Sequence, residues 1–197
     1  MSKNRKINDI SKAGQTGLSE EQKASQETYE WLQCVVVALI ACVLLFTFFG
    51  RVIDVKGHSM TPTLLDGDKI IITRLTGSYD AGDMVVLQKD SYGPDPIVKR
   101  IIATEGQTVD IDFEMGVVYV NGLALDEDYI NEPTFDPEDF VGPQVVPEGC
   151  VFVLGDNRNN SLDSRRASIG MVDTRHILGK VVFRILPLRR FGALQGW

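Results

Sequence analysis

The feature that most limits what this chain can fold into is an unbroken uncharged run from Cys34 to Phe49. Trp31 and Leu32 extend it toward the roughly 20 residues that span a bilayer. A single transmembrane helix over residues 31–50 is expected, with Trp31 as an interfacial anchor. A cleaved secretory leader would start nearer the terminus and end at small residues, whereas this run ends in Phe48-Phe49-Gly50-Arg51. Residues 1–30 are polar and of mixed charge and cannot bury enough apolar surface to fold alone. Residues 51–197 are left to form a folded domain. Lys23 precedes the run while Arg51, Lys56 and Lys69 follow it, a bias that does not settle orientation because long domains cross membranes largely regardless of charge.

Twenty basic side chains face 27 acidic ones, a formal net charge of −7, so no broad cationic surface is available to displace counterions from phosphates. A general nucleic-acid binder is excluded on that ground. Of the three cysteines, Cys34 and Cys42 lie inside the apolar run and Cys150 stands alone beyond it, so no disulfide within the domain is expected. Two separated histidines and one domain cysteine make no recognisable metal-ligand set, and neither a metal nor another cofactor is expected.

Beyond residue 50 the pattern is one of short β-rich runs between turn signals. The expected strands are 68–73, 83–88, 97–104, 108–113, 117–120, 151–154 and 180–186. Asp66-Gly67, Ala81-Gly82, Gly93-Pro94-Asp95-Pro96, Asn121-Gly122 and Glu148-Gly149 supply the turns. The fold class is mainly β, without a long amphipathic helix in the domain. Residues 126–148 carry eight acidic side chains, no basic ones, and Pro133, Pro137, Pro143 and Pro147. They are expected to form an irregular surface excursion, since they lack the ordered ligand spacing of a calcium loop.

Three segments could carry chemistry. In Ile97-Val98-Lys99-Arg100-Ile101-Ile102, alternation places Lys99 between Ile97 and Ile101 on one face, with Val98 and Ile102 on the other. Such a lysine either snorkels to water or is desolvated, and desolvation lowers its pKa toward that of a general base. In Gly57-His58-Ser59-Met60-Thr61-Pro62, glycine and proline flank a serine in what reads as a fixed turn that displays a hydroxyl. An ordinary turn has the same composition. The dense polar loop Gly155-Asp156-Asn157-Arg158-Asn159-Asn160-Ser161-Leu162-Asp163-Ser164-Arg165 suits a rigid hydrogen-bond network, or a solvated loop of local Asx turns.

Taken together, Ser59-Met60-Thr61-Pro62-Thr63-Leu64, Lys99-Arg100-Ile101-Ile102 and Gly155-Asp156-Asn157-Arg158 with Ser161, Asp163, Ser164 and Arg165 resemble the bacterial type I signal peptidase family, membrane-bound serine proteases of Ser–Lys type. The resemblance covers roughly residues 31–187. It implies a membrane-anchored β domain that removes signal peptides from exported preproteins, with the N-terminal tail in the cytoplasm and the domain outside. It further implies Ser59 as nucleophile, Lys99 as general base, and Ser161 hydrogen-bonded to the lysine amine. Asp163 and Arg165 would form an ion pair behind the site, Asp156 would support it, and Met60 would shape the substrate subsites. Signal peptides and membrane lipid are the implied partners, with no nucleic acid and no metal.

The chain departs from the family pattern at two places. Ala103-Thr104-Glu105-Gly106 follows the lysine strand where other members carry a Gly-Pro turn, and Gly57 offers no hydroxyl to an oxyanion, leaving the Ser59 N–H and water. His58 adjoins Ser59 and is a poor base for its own neighbour; His176 could reach it only through folding. Arg184, Arg189, Arg190, Phe191, Leu194 and Trp197 combine basic and apolar groups that are expected to rest on anionic lipid. A tethered peptide-binding protein without turnover would keep the same fold, whereas a self-cleaving repressor would need a DNA-binding module in place of the apolar run.

Overall fold

The computed structural model describes residues 20–74, 77–88, 93 and 95–194. The chain divides between Phe46 and Thr47 into two units. Helix α1, Glu20–Phe49, forms the described part of the first and ends three residues past the division. It begins at Glu20 rather than at residue 31, because Glu20-Glu21-Gln22-Lys23-Ala24 are strong helix formers with acidic groups at the N-terminal end. Val36, Val37, Leu39, Ile40 and Val43 are all exposed. Among the described residues no helix is long and apolar enough to cross a membrane, so the expected spanning helix 31–50 is not supported there. The described side chains of the run stop at Val43, short of the roughly 20 that a bilayer requires. The side chains of 44–49, which complete the run, lie outside the described residues.

The second unit is mainly β. Its strands are β1 (Arg51–Asp54), β2 (Lys69–Thr73), β3 (Met84–Leu87), β4 (Ile97–Thr104), β5 (Thr108–Asp112), β6 (Val117–Val120), β7 (Leu123–Ala124), β8 (Gln144–Val145), β9 (Cys150–Leu154), β10 (Val172–Asp173), β11 (Ile177–Leu186) and β12 (Gly192–Ala193). A large antiparallel sheet runs in the order β1-β2-β11-β3-β4-β9-β10, with β12 on β11, and a smaller one in the order β7-β6-β5-β8. In β2, β5 and β6 buried residues alternate with more exposed ones, as strands with one covered face require. β3, β4 and β9 are buried almost throughout, because each sits inside the large sheet with both faces covered.

Every expected strand overlaps an observed one. β11 starts at Ile177 instead of 180, and Gly179 accounts for the close approach: a Cβ there would lie 2.9 Å from the Thr73 carbonyl oxygen. β7, β8, β10 and β12 are not expected from the sequence, since two residues carry no periodicity, and β1, directly after the apolar run, is defined by its pairing with β2. The acidic stretch 126–148 is corrected as well. It is irregular apart from β8, but Thr134, Phe140 and Val146 in it are buried.

Phe140 and Val146 join Ile102 and Ala103 of β4, Val109 and Ile111 of β5, Val118 and Val120 of β6, and Phe152 and Leu154 of β9 in one cluster that unites the two sheets. Phe140 and Phe152 meet edge to face at 5.7 Å. Phe152→Ala is expected to lower the unfolding free energy by about 3–5 kcal/mol. Urea unfolding of the full chain in detergent checks this, and a loss under about 1 kcal/mol would mean that the sheets do not depend on a shared core.

Candidate active site

β4 lies between β3 and β9, and Lys99 in its middle is only 2% exposed, so the snorkelling arrangement does not occur. Its Nζ donates to Ser59 Oγ at 2.7 Å and to the Val98 carbonyl at 2.8 Å. Burial lowers the lysine pKa from 10.5 to about 8, against the opposing pull of Asp163 and Asp156. At pH 7 about one-tenth of such an amine is neutral, compared with about one in 3,000 at the ordinary value.

Ser59 is carried by a turn that the core holds from beneath. Met60 and Leu64 are buried in a cluster with Val55, Ile70, Ile72, Met84 and Val98, and Leu64 N–H donates back to the Met60 carbonyl at 2.9 Å. Met60, expected at the substrate subsites, is 2% exposed and anchors the turn, because the apolar side chain beside the serine is drawn into this cluster. Gly57 enters the turn at φ +83°, which favours glycine, and its N–H donates to Asp66 Oδ1 at 2.8 Å. The Ser59 N–H has no acceptor among the described residues.

The loop after β9 closes over this turn. Asn157 N–H donates to the Ser59 carbonyl and Asn157 Nδ2 to the His58 carbonyl, both at 3.0 Å. Gly155 has no room for a side chain: a Cβ would collide with the Ser59 carbonyl oxygen and with Ser161. Asp163 and Arg165 form the expected ion pair, fully buried, with Nε to Oδ1 at 2.9 Å, and Asp163 Oδ2 also accepts the Gly155 N–H at 3.1 Å. Asp156 pairs with Arg100 through two bonds of 2.8 and 2.7 Å. Arg158 donates to Glu127 Oε2 at 3.0 Å and to Thr134 Oγ1 at 2.9 Å, so the acidic stretch braces this loop.

Ser59, Lys99, Gly57, Asp156, Asp163 and Arg165 thus converge, but one expected contact is absent. Ser161 Oγ is buried beside Gly155 without a hydrogen-bond partner among the described residues, and Lys99 Nζ donates to Ser59 and Val98 instead. Asn157, Gly155 and Arg100 stand in the motifs that carry the resemblance but were given no role of their own, and Glu127 was noted only as one of the acidic residues of 126–148. His58 is exposed, and His176 lies in a 3-10 turn that leads into β11.

The turn Ala103-Thr104-Glu105-Gly106 is closed by Gln107, whose Oε1 accepts the Thr104 N–H at 2.8 Å, and Glu105 accepts the Gly149 N–H at 2.8 Å. Among the described residues no group of three or more His, Cys, Asp or Glu is placed to hold a metal. Of the residues expected on lipid, Arg184 and Arg190 turn inward to the carbonyls of Pro62 and Thr63, and Leu194 packs on the core; Trp197 lies outside the described residues.

Two substitutions test this geometry. Gly155→Ala is expected to reduce turnover at least about 100-fold by displacing Ser59, and parental turnover would show that the fit is looser. Lys99 has a folded pKa near 8 against 10.5, so below pH 8 its burial costs stability, and that cost fades between pH 8 and 10.5. Lys99→Met should therefore stabilise the chain by about 1–3 kcal/mol at pH 7 in thermal unfolding and lose the rise above pH 8.

Residues 28–186 match the signal peptidase, peptidase S26, family profile. Signal peptidase I of Bacillus licheniformis is 32% identical over 183 residues, covering 86% of this chain and 96% of the relative. Signal peptidase IB of Staphylococcus aureus is 35% identical, covering 84% of this chain and 93% of the relative. Probable signal peptidase I-1 of Synechocystis is 36% identical, covering 84% and 86%. With the profile spanning most of the chain and relatives above 30% identical along most of its length, the protein belongs to the signal peptidase, peptidase S26, family.

Proposed function

We propose that this protein is a signal peptidase I, a serine endopeptidase that removes N-terminal signal peptides from exported preproteins through an acyl-enzyme formed on Ser59 with Lys99 as general base. The observation that carries this reading is the 2.7 Å contact between a buried, desolvated Lys99 Nζ and Ser59 Oγ. Neutral Lys99 takes the proton as Ser59 Oγ attacks the scissile carbonyl, and the oxyanion forms against the Ser59 N–H. Collapse breaks the C–N bond, and Lys99 returns the proton to the leaving amine. A water deprotonated by the same amine then hydrolyses the ester and frees Ser59.

The preprotein presents small residues in the A-x-A pattern before the scissile bond. Residues 31–50 anchor the chain, with the tail in the cytoplasm and residues 51–197 outside. Support comes from the aliphatic side chains exposed along α1 from Val36 to Val43. Leu188 and Phe191, exposed near the C-terminus, meet lipid.

Cleavage of a purified A-x-A preprotein by the detergent-solubilised chain tests the dyad. Ser59→Ala and Lys99→Ala should each lower turnover by about 1,000-fold or more. Turnover should rise through a pKa near 8 and level off above it, since the neutral amine is the active form. A Lys99→Ala variant that still cuts would remove the lysine from the mechanism. Binding without cleavage by the parent would point to a tethered peptide-binding protein.

A further inference from the structure

Two arginines from the C-terminal part of the chain converge on the far end of the turn that carries Ser59. Arg184, on β11, donates from Nη1 to the Thr63 carbonyl at 2.8 Å and to Asp68 Oδ2 at 3.2 Å, and from Nε to the Arg190 carbonyl at 2.7 Å. Arg190 follows in the 3-10 turn Leu188–Arg190. Its Nη2 forks between the Pro62 carbonyl at 2.9 Å and the Thr63 carbonyl at 3.1 Å, and its Nη1 lies 3.7 Å from Asp68 Oδ2. Asp68 itself is buried and accepts the Leu65 N–H at 3.1 Å.

The turn needs such a clamp. Its first residues are tied by Asn157 and its middle by the burial of Met60 and Leu64, but the carbonyls of Pro62 and Thr63 have no partner within the turn. Cations at the carbonyl end of a helical turn satisfy orphan acceptors and oppose the local dipole. A guanidinium does this with fixed fork geometry that an ammonium lacks. β11 pairs with β2, so the clamp fastens the serine turn to the middle of the large sheet.

We propose that Arg184 and Arg190, neutralised in part by Asp68, are positioning residues for the nucleophile, holding the Pro62 and Thr63 carbonyls so that Ser59 Oγ stays on Lys99. The inference rests on the reading of Ser59 as nucleophile.

The test uses the full chain in detergent, with active sites titrated by a fluorophosphonate so that kcat refers to chains with a reactive Ser59. Arg190→Ala and Arg184→Ala should lower kcat per titrated site by about 10- to 100-fold, with KM within about 2-fold. Arg190→Lys should recover part of the loss, and the pH midpoint should stay near the parent's because the surroundings of Lys99 are untouched. Arg175→Ala, which removes an exposed arginine paired with Asp173, controls for the loss of a positive charge. Parental kcat per site in both alanine variants, beside an inactive Ser59→Ala, would overturn the clamp and leave the dyad standing. Turnover retained by Ser59→Ala would overturn the dyad and the clamp with it. If an alanine variant fails to fold, Arg190→Lys carries the test, and a kcat per site equal to the parent's would count against the fork.

Discussion

An amine loses the hydration that favours its charged form when β-strands cover it on both sides, and the burial of Lys99 in β4 is the condition on which the rest of this domain's geometry depends. β4 could bury a lysine only from inside a sheet: Val98, Ile101 and Ile102 fall into three different apolar clusters around it. Asp163 and Asp156 would draw the pKa back up. Both carboxylates are already bonded to guanidinium groups, which leaves desolvation the larger influence.

The polar loop works as a frame because its charges cancel in pairs. Arg100 with Asp156, Arg165 with Asp163 and Arg158 with Glu127 are all nearly or fully buried. Such pairs add little net stability relative to an apolar core, but losing one partner leaves an uncompensated buried charge, typically costing about 3–5 kcal/mol. The loop is therefore held to one arrangement, and through Gly155 and Asn157 that arrangement extends to the carbonyls of His58 and Ser59. The acidic stretch owes its role to this frame: Glu127 and the Asp136 carbonyl each hold an arginine of the loop.

Much of this was legible in advance where a residue's pattern matched its own surroundings. The strands with alternating or continuous apolar residues were visible, and Lys99 stood out as the one cation on its face of an apolar strand, where periodicity alone still allowed it to snorkel. The strands β7, β8, β10 and β12 were not visible, since two residues say nothing until a neighbour pairs with them, and β1 is defined by its pairing with β2. The family resemblance implied Met60 as a subsite residue, but the core beneath the turn takes its side chain. Ser161 read as the lysine's partner, yet the amine reaches Val98 and Ser59 and leaves that hydroxyl unbonded. Arg184 and Arg190 read as lipid contacts because basic and large apolar residues are combined there, and nothing local reveals that β11 and the turn after it aim them at Thr63.

The amino-acid sequence by itself determined the class of fold, the residue types of the site and the family. Those depend on local periodicity and on short runs of residues read in order. Only the tertiary structure decided which donor meets which acceptor. Ser59 and Lys99 lie 40 positions apart and Arg190 and Pro62 lie 128 apart, and hydrogen bonds reach about 3 Å, so their partners are chosen by sheet pairing and core packing rather than by neighbours in the chain.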